Sequence, residues 1–241
     1  MSFAPRRNLF VAAVFIAVAA AAPPEDAAPD STATLSSVQI VEQMMAHEQA
    51  HNRHLKHYQA LRHYQAQYRG FPTNLEARMD VEVSFDSASG KRLQIVSQSG
   101  SKFLLEKVLK RAVDSETESS QQKASPTLTP ANYRFQLLGS EVLGGRPAFI
   151  LDVQPIMAGK FLVRGKIWVD AADFAIAKME TQPAKSPSFW LSRPLIHYTG
   201  AKTDGFWMPQ KLVSETGVRI GGRAVLTIDY GNYQIATNSI H

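Results

Sequence analysis

The apolar positions of this chain change period several times, and each period predicts an element. Leu9 to Ala20 (LFVAAVFIAVAA) is an unbroken apolar run. From Leu35 a helical stripe takes over: Val38, Val41, Met45, Glu48, Asn52 and Leu55 share one side, apolar at its start. That spacing predicts a helix over residues 37–59, with Ser36 or Ser37 as its cap. The period then falls to two. Tyr64, Ala66 and Tyr68 alternate with polar neighbours, and Met79, Val81, Val83 and Phe85 alternate with Arg78, Asp80, Glu82 and Ser84. Such alternation is the mark of half-buried strands. Ser89-Gly90 turns the chain into a hairpin partner over 92–98. Leu104, Leu105, Val108, Leu109, Ala112 and Val113 restore helical spacing and predict a second amphipathic helix over 102–118. The polar stretch 115–130 (SETESSQQKASPTLTP) ends in prolines and reads as a loop.

Beyond Asn132 the pattern is strand upon strand: 133–142, 147–154, 161–169, 174–181, 195–202, 206–216 and 223–235, punctuated by Gly144-Gly145, Asp204-Gly205 and Gly221-Gly222. Spacings of about ten residues with glycine turns predict an antiparallel meander of about ten strands. The fold class is therefore mainly β (α+β): a curled, incomplete antiparallel β-barrel closed by two helices. Two helices cannot easily cover every inward residue of ten strands. Inward sets that include Ile167, Leu226 and Ile228 either pack against one another or line a cavity.

The N-terminus reads as an address. Arg6-Arg7, the apolar run and the small residues at Ala19 to Ala22 form a secretory signal peptide over residues 1–22, cleaved near Ala20-Ala22. The paired arginines also fit twin-arginine export. Residues 23–36 begin PPEDAAPDSTAT and form a flexible leader, and 37–241 a single domain. A periplasmic location follows. The chain has no cysteine, which excludes a disulfide framework, Cys-ligated zinc, iron–sulfur clusters, thiol catalysis and an N-terminal lipid anchor. The formal charge of +5 falls to about +3 without Arg6 and Arg7, too little for a nucleic-acid footprint. A basic patch of Lys91, Arg92, Lys107, Lys110 and Arg111 lacks the stacking aromatics that nucleic acid would require.

The downstream pattern resembles the LolA/LolB-like superfamily, and within it the bacterial outer-membrane lipoprotein-sorting proteins. The resemblance is carried by NYRFQLLGSEVLGGRPAFILDVQP (132–155), KFLVRGKIWVDAADFAIAKME (160–180) and GFWMPQKL (205–212), within a match over about residues 60–236. It implies a monomeric, non-catalytic carrier without a cofactor, sheltering lipoprotein acyl chains or lipids in an apolar cavity. Such a carrier makes transient contact with membrane-bound donor and acceptor proteins. The implied cavity residues are Val83, Phe85, Phe149, Leu151, Phe161, Val163, Phe174 and Ile176 on strands, with Leu104 and Val108 on the second helix. Phe189 and Trp190 join them from the loop 183–190 (PAKSPSFW), and that loop and the helix 102–118 are the candidate lids. The His-rich first helix has no counterpart in the resemblance.

Two other readings stand beside it. One is a β module with a filled core that binds another envelope protein. The other is a zinc hydrolase, because His47-Glu48-Gln49-Ala50-His51 spells H-E-x-x-H, with Glu48 as general base. Gln49 is not the bulky apolar residue expected there, and no third ligand follows at a fitting distance. The plainer reading groups His47, His51, His54, His57 and His63 with Arg53, Lys56 and Arg62 as a solvated face, cationic below pH about 6.5. Asp170 and Asp173 read as turn carboxylates, and Arg146 as part of a hairpin.

Overall fold

In the computed structural model the described residues are 35–121, 128–157, 159, 161–185, 191–219 and 221–236. The signal and leader segments therefore lie outside the described residues, apart from Leu35 and Ser36. From Leu35 onward the chain forms one compact unit. Helix α1 (Ser37–His54) opens it, and Ser36 and Gln39 build a capping box: Gln39 N donates to Ser36 Oγ at 3.3 Å and Ser36 N donates to Gln39 Oε1 at 2.9 Å. The helix stops five residues short of its expected end. His57 onward pairs with strands on both sides, Tyr58 opposite Phe85 and opposite Ile235, and this two-sided ladder takes the segment from the helix. His57, Arg62 and His63 consequently belong to a strand rather than to the solvated helical face.

Ten strands follow the predicted rhythm: β1 (His57–Arg69), β2 (Leu75–Asp86), β3 (Gly90–Gly100), β4 (Tyr133–Leu143), β5 (Arg146–Pro155), β6 (Val163–Asp170), β7 (Ile176–Pro183), β8 (Leu195–Thr203), β9 (Phe206–Gly217) and β10 (Arg223–Ala236). They form one antiparallel sheet in the order β3-β2-β1-β10-β9-β8-β7-β6-β5-β4. The sheet is open, with β3 and β4 as its edges. Each edge carries a bulge. Val96 is the extra residue in β3 and Leu138 in β4, and both side chains are exposed. A bulge breaks the row of edge N–H and C=O groups and blunts pairing with another sheet.

The second helix spans α2 (Lys102–Leu104), a π turn (Leu105–Leu109) and α3 (Lys110–Gln121). Gly100 delivers the chain into it. A Cβ there would lie 2.4 Å from the Glu76 carbonyl oxygen, and its φ of +94° suits glycine alone. This helix and α1 cover opposite ends of the sheet. The second helix sets Leu104, Leu105, Leu109 and Val113 on Ala60, Tyr64, Met79, Val81 and Val83. Helix α1 sets Ile40, Val41 and Met44 against Tyr133, Leu151, Val153, Ile167 and Val169. Each such fully buried aliphatic side chain contributes about 1.5–3 kcal/mol.

The central strands are thinly covered, as is the edge strand β3, which buries no residue. No residue of β8 is buried, and β9 and β10 bury one each, Met208 and Ile228.

A charge sits inside the first cluster. Arg62, 3% exposed, donates through Nη1 to Glu116 Oε2 at 2.5 Å and lies 4.7 Å from the centre of the Tyr230 ring. Lys91 Nζ reaches Glu116 Oε1 at 3.0 Å. Burial alone would raise the Glu116 carboxyl, but Arg62 and Lys91 outweigh it and the net shift is downward. The stabilisation from this group is present above its unfolded pKa of about 4.3 and is lost as pH falls through the lower folded value. Replacing Glu116 by Ala strands a buried guanidinium. We expect Glu116→Ala to lower stability by about 3 kcal/mol in urea unfolding at pH 7. The deficit against wild type should shrink below pH 4.

Candidate functional site

Between α1 and strands β6–β9 the inner face holds a hollow of about 470 Å³. It lies where neither helix fills the sheet. Its apolar wall is Met44, Met45, Leu128, Phe161, Val163, Phe174, Ala175, Ile176 and Met179, and its polar wall is His47, Glu48, His51, Tyr133, Tyr198 and Trp207. Pockets that hold one small ligand span about 300–1,000 Å³ and are lined in this mixed manner. A smaller hollow of about 270 Å³, lined by Gln59, Glu82, Ser84, Arg92, Gln94 and Gln234 among others, is polar.

Helix α1 roofs the hollow unevenly. Its buried residues, Ile40, Val41 and Met44, all fall in its first half. The second half carries His47, Glu48 and His51 over the hollow. His47 and His51 stack with ring centres 6.2 Å apart, and the His51 ring meets Phe206 edge-on at 5.6 Å. Burial lowers both imidazole pKa values. At His47, Asp173 opposes this and Lys202 adds to it; at His51, the neighbouring His47 adds to it and a side-chain hydrogen bond with Asn52 opposes it. Both rings are therefore uncharged at neutral pH. Partial burial raises the Glu48 carboxyl, and burial pushes the Tyr198 hydroxyl up to about 12. Among the described residues no group of three or more His, Asp or Glu is placed to hold a metal ion. The two histidines thus share a face, as H-E-x-x-H spacing requires, but meet no third ligand there.

One wall of the hollow is set by a charged clamp. Asp170, 1% exposed, closes the β6–β7 turn by accepting from Ala172 N at 3.1 Å and Asp173 N at 2.8 Å. Arg146 at the start of β5 grips the same carboxylate twice, at 2.6 and 2.8 Å, and reaches Asp173 at 2.8 Å. Asp173 also accepts from Lys202 Nζ at 3.0 Å and from Trp207 Nε1 at 2.9 Å. These bonds hold the Trp207 indole in the wall. The Asp173 carboxyl is lowered first by the Trp207 bond. Burial would raise Asp170, but Arg146 and the turn amides outweigh it. What reads in sequence as turn and hairpin chemistry is thus a clamp joining β5, β6, β8 and β9. On the opposite side Tyr133 is fixed by accepting from Val163 N at 3.1 Å.

The sequence-derived cavity residues separate into groups. Phe161, Val163, Phe174 and Ile176 line the hollow together. Phe149 stands behind it, stacked on Phe174 with centres 6.3 Å apart. Leu151 is fully buried in the α1 cluster. Val83, Phe85, Leu104 and Val108 belong to the packed cluster under the second helix, with Phe85 stacked on Tyr58 at 5.3 Å. Phe189 and Trp190 lie outside the described residues, as does most of their loop. Met44, Met45, Met179, Tyr198 and Trp207 escape the sequence reading. Trp207 had a signal, since it sits in the Gly-Phe-Trp-Met-Pro stretch.

No family model matches the chain, and no curated protein matches it. Solved structures do. It is similar to a DUF1329 family protein from Desulfovibrio piger at 11% identity, covering 85% of this chain and 95% of that one with a TM-score of 0.41. It is similar to a LolA superfamily protein from Nitrosomonas europaea at 13% identity, covering 84% and 94% with a TM-score of 0.36. A domain named for outer membrane lipoprotein sorting, from Vibrio parahaemolyticus, matches at 12% identity, covering 82% and 92% with a TM-score of 0.40.

The clamp yields a stability prediction. Asp170→Asn removes the charge that Arg146 grips while keeping the side chain's size. We expect a loss of about 2–3 kcal/mol, measured by urea unfolding at pH 7. The indole fluorescence of Trp207 should change in the folded protein.

Proposed function

We propose that this protein is an exported carrier that shelters a lipid acyl chain in the hollow under α1 and transfers it across the periplasm. One observation carries the reading: a hollow of about 470 Å³ beneath the second half of α1, lined on one side by methionine, phenylalanine, valine and isoleucine. Methionines suit a wall that must fit a flexible guest, because the unbranched thioether adapts its shape. Each methylene taken from water contributes about 0.8 kcal/mol, so a chain of about fifteen carbons carries on the order of 10 kcal/mol. No carboxylate dyad or nucleophile with its base faces the hollow among the described residues, and the work we assign is binding and release.

Release needs a roof that moves. The geometry favours α1 over the second helix, whose underside is packed against β1 and β2. The first half of α1 is anchored by Ile40, Val41 and Met44, and the second half buries no side chain. Donor and acceptor at the two membranes would act by displacing that second half.

Two measurements test the proposal. Native mass spectrometry of protein purified without detergent should show a co-purified acyl lipid in one-to-one ratio. Val163→Trp places an indole in the hollow. It should weaken binding of a fluorescent acyl probe at least tenfold and shift the melting temperature by no more than a few degrees. Unaltered probe binding in a folded Val163→Trp protein would remove the hollow from the account.

A further inference from the structure

The polar side of the hollow distinguishes among amphiphiles. Resting on the carrier reading above, we propose that the cavity selects a single-chain lipid with an uncharged, hydroxylated head group, of the monoacylglycerol class, with the head seated against His51 and its neighbours on α1.

Size sets the number of chains. A hollow of about 470 Å³ has the room of roughly fifteen water molecules at ~30 Å³ each, and a methylene group is of similar size. That is room for one acyl chain of about fifteen carbons.

Charge sets the kind of head. Neither lysine nor arginine is found among the described lining residues. The nearby cations, Arg146 and Lys202, are already engaged by Asp170 and Asp173. Glu48 adds a carboxyl at the same wall, and both imidazoles are held neutral by burial. An anionic head would enter a low-dielectric site with no free cation among the described residues and a carboxylate beside it, which disfavours phosphates and ionised fatty acids. A wholly apolar guest fails for the opposite reason. His51 Nε2 is shut off from solvent and has no hydrogen-bond partner in the protein. A buried polar atom of this kind calls for a partner. Trp207 Nε1 is committed to Asp173, and the Tyr133 hydroxyl accepts from Val163 N while its own O–H makes no bond to His51. An imidazole nitrogen donates or accepts according to its tautomer, and a hydroxyl can answer either way. Tyr198 on β8 lines the same hollow, and its phenol stays protonated throughout the physiological range.

The experiment is displacement of the tail-only probe diphenylhexatriene from the purified protein at pH 7.5. The competitors are 1-monomyristoylglycerol, myristate and myristoyl lysophosphatidic acid. We expect the monoacylglycerol to displace the probe at a concentration at least tenfold below either anion. His51→Phe should collapse that preference about five- to tenfold, and His51→Gln, which keeps a hydrogen-bonding group, should restore most of it. Equal or stronger displacement by either anion overturns the inference while leaving the carrier reading intact. An unchanged preference in folded His51→Phe also overturns it. Failure of the probe itself to bind defeats the carrier reading and this inference together.

Discussion

A sheet of ten antiparallel strands presents more inner surface than two short helices can cover, and where they sit decides where the deficit falls. In most sheets the central strands are the best buried. Here burial collects at β1–β2 and β5–β6, and the middle strand β8, like the edge strand β3, buries no residue. The second helix fills the β1–β2 end and α1 fills the β5–β6 end, while β8 in the middle buries nothing. The hollow is the direct result of this division, and its position explains why its wall is part strand and part helix.

Two charged clusters add directional contacts, one under the second helix and one beside the hollow. Under the second helix, Arg62 and Glu116 tie β1 to α3 inside an apolar layer, so that the helix is held by a directional contact as well as by packing. Beside the hollow, Asp170 and Asp173 gather Arg146, Lys202 and Trp207 from three separate strands. Removing Glu116 is costly because Arg62 stays buried without compensation, whereas in the clamp the buried member is Asp170 itself and Arg146 and Lys202 are about half exposed. The clusters therefore fix geometry that hydrophobic contact alone would leave adjustable. The second half of α1 takes part in neither charged cluster and is held by lighter contacts, His51 against Phe206 among them, which makes it the segment best able to swing.

Much of this was legible in the chain itself. Period-two alternation at Met79–Phe85 and the Gly-Gly and Asp-Gly turns mark strands whose ends match the sheet to within a few residues, because turn chemistry is local. The end of α1 was not legible. His57 to Gln59 is taken by its hairpin partner β2 and by β10 at the far end of the chain, and no local propensity records that. Arg62 is instructive: it stands in the inward phase between Ala60 and Tyr64, so alternation alone marks it as buried, yet grouping it with nearby histidines hid this. The hollow was legible only in part. Phe161, Val163, Phe174 and Ile176 follow from strand phase, and Val83 and Leu104 follow equally well. Only the resting place of each helix separates lining from core. The H-E-x-x-H spacing pointed to a real shared face, but one turned to a greasy hollow and not to a third metal ligand.

The central claim is that the uncovered middle of the sheet, and not its filled ends, receives a guest. Methyl-labelled protein titrated with an acyl ligand and followed by nuclear magnetic resonance tests this most directly. The account predicts shifts and intermolecular contacts at Met44, Met45, Val163, Ile176 and Met179, with Val81, Val83 and Leu109 unmoved. Contacts confined to the methyls beneath the second helix, or none anywhere at saturating ligand, would contradict it.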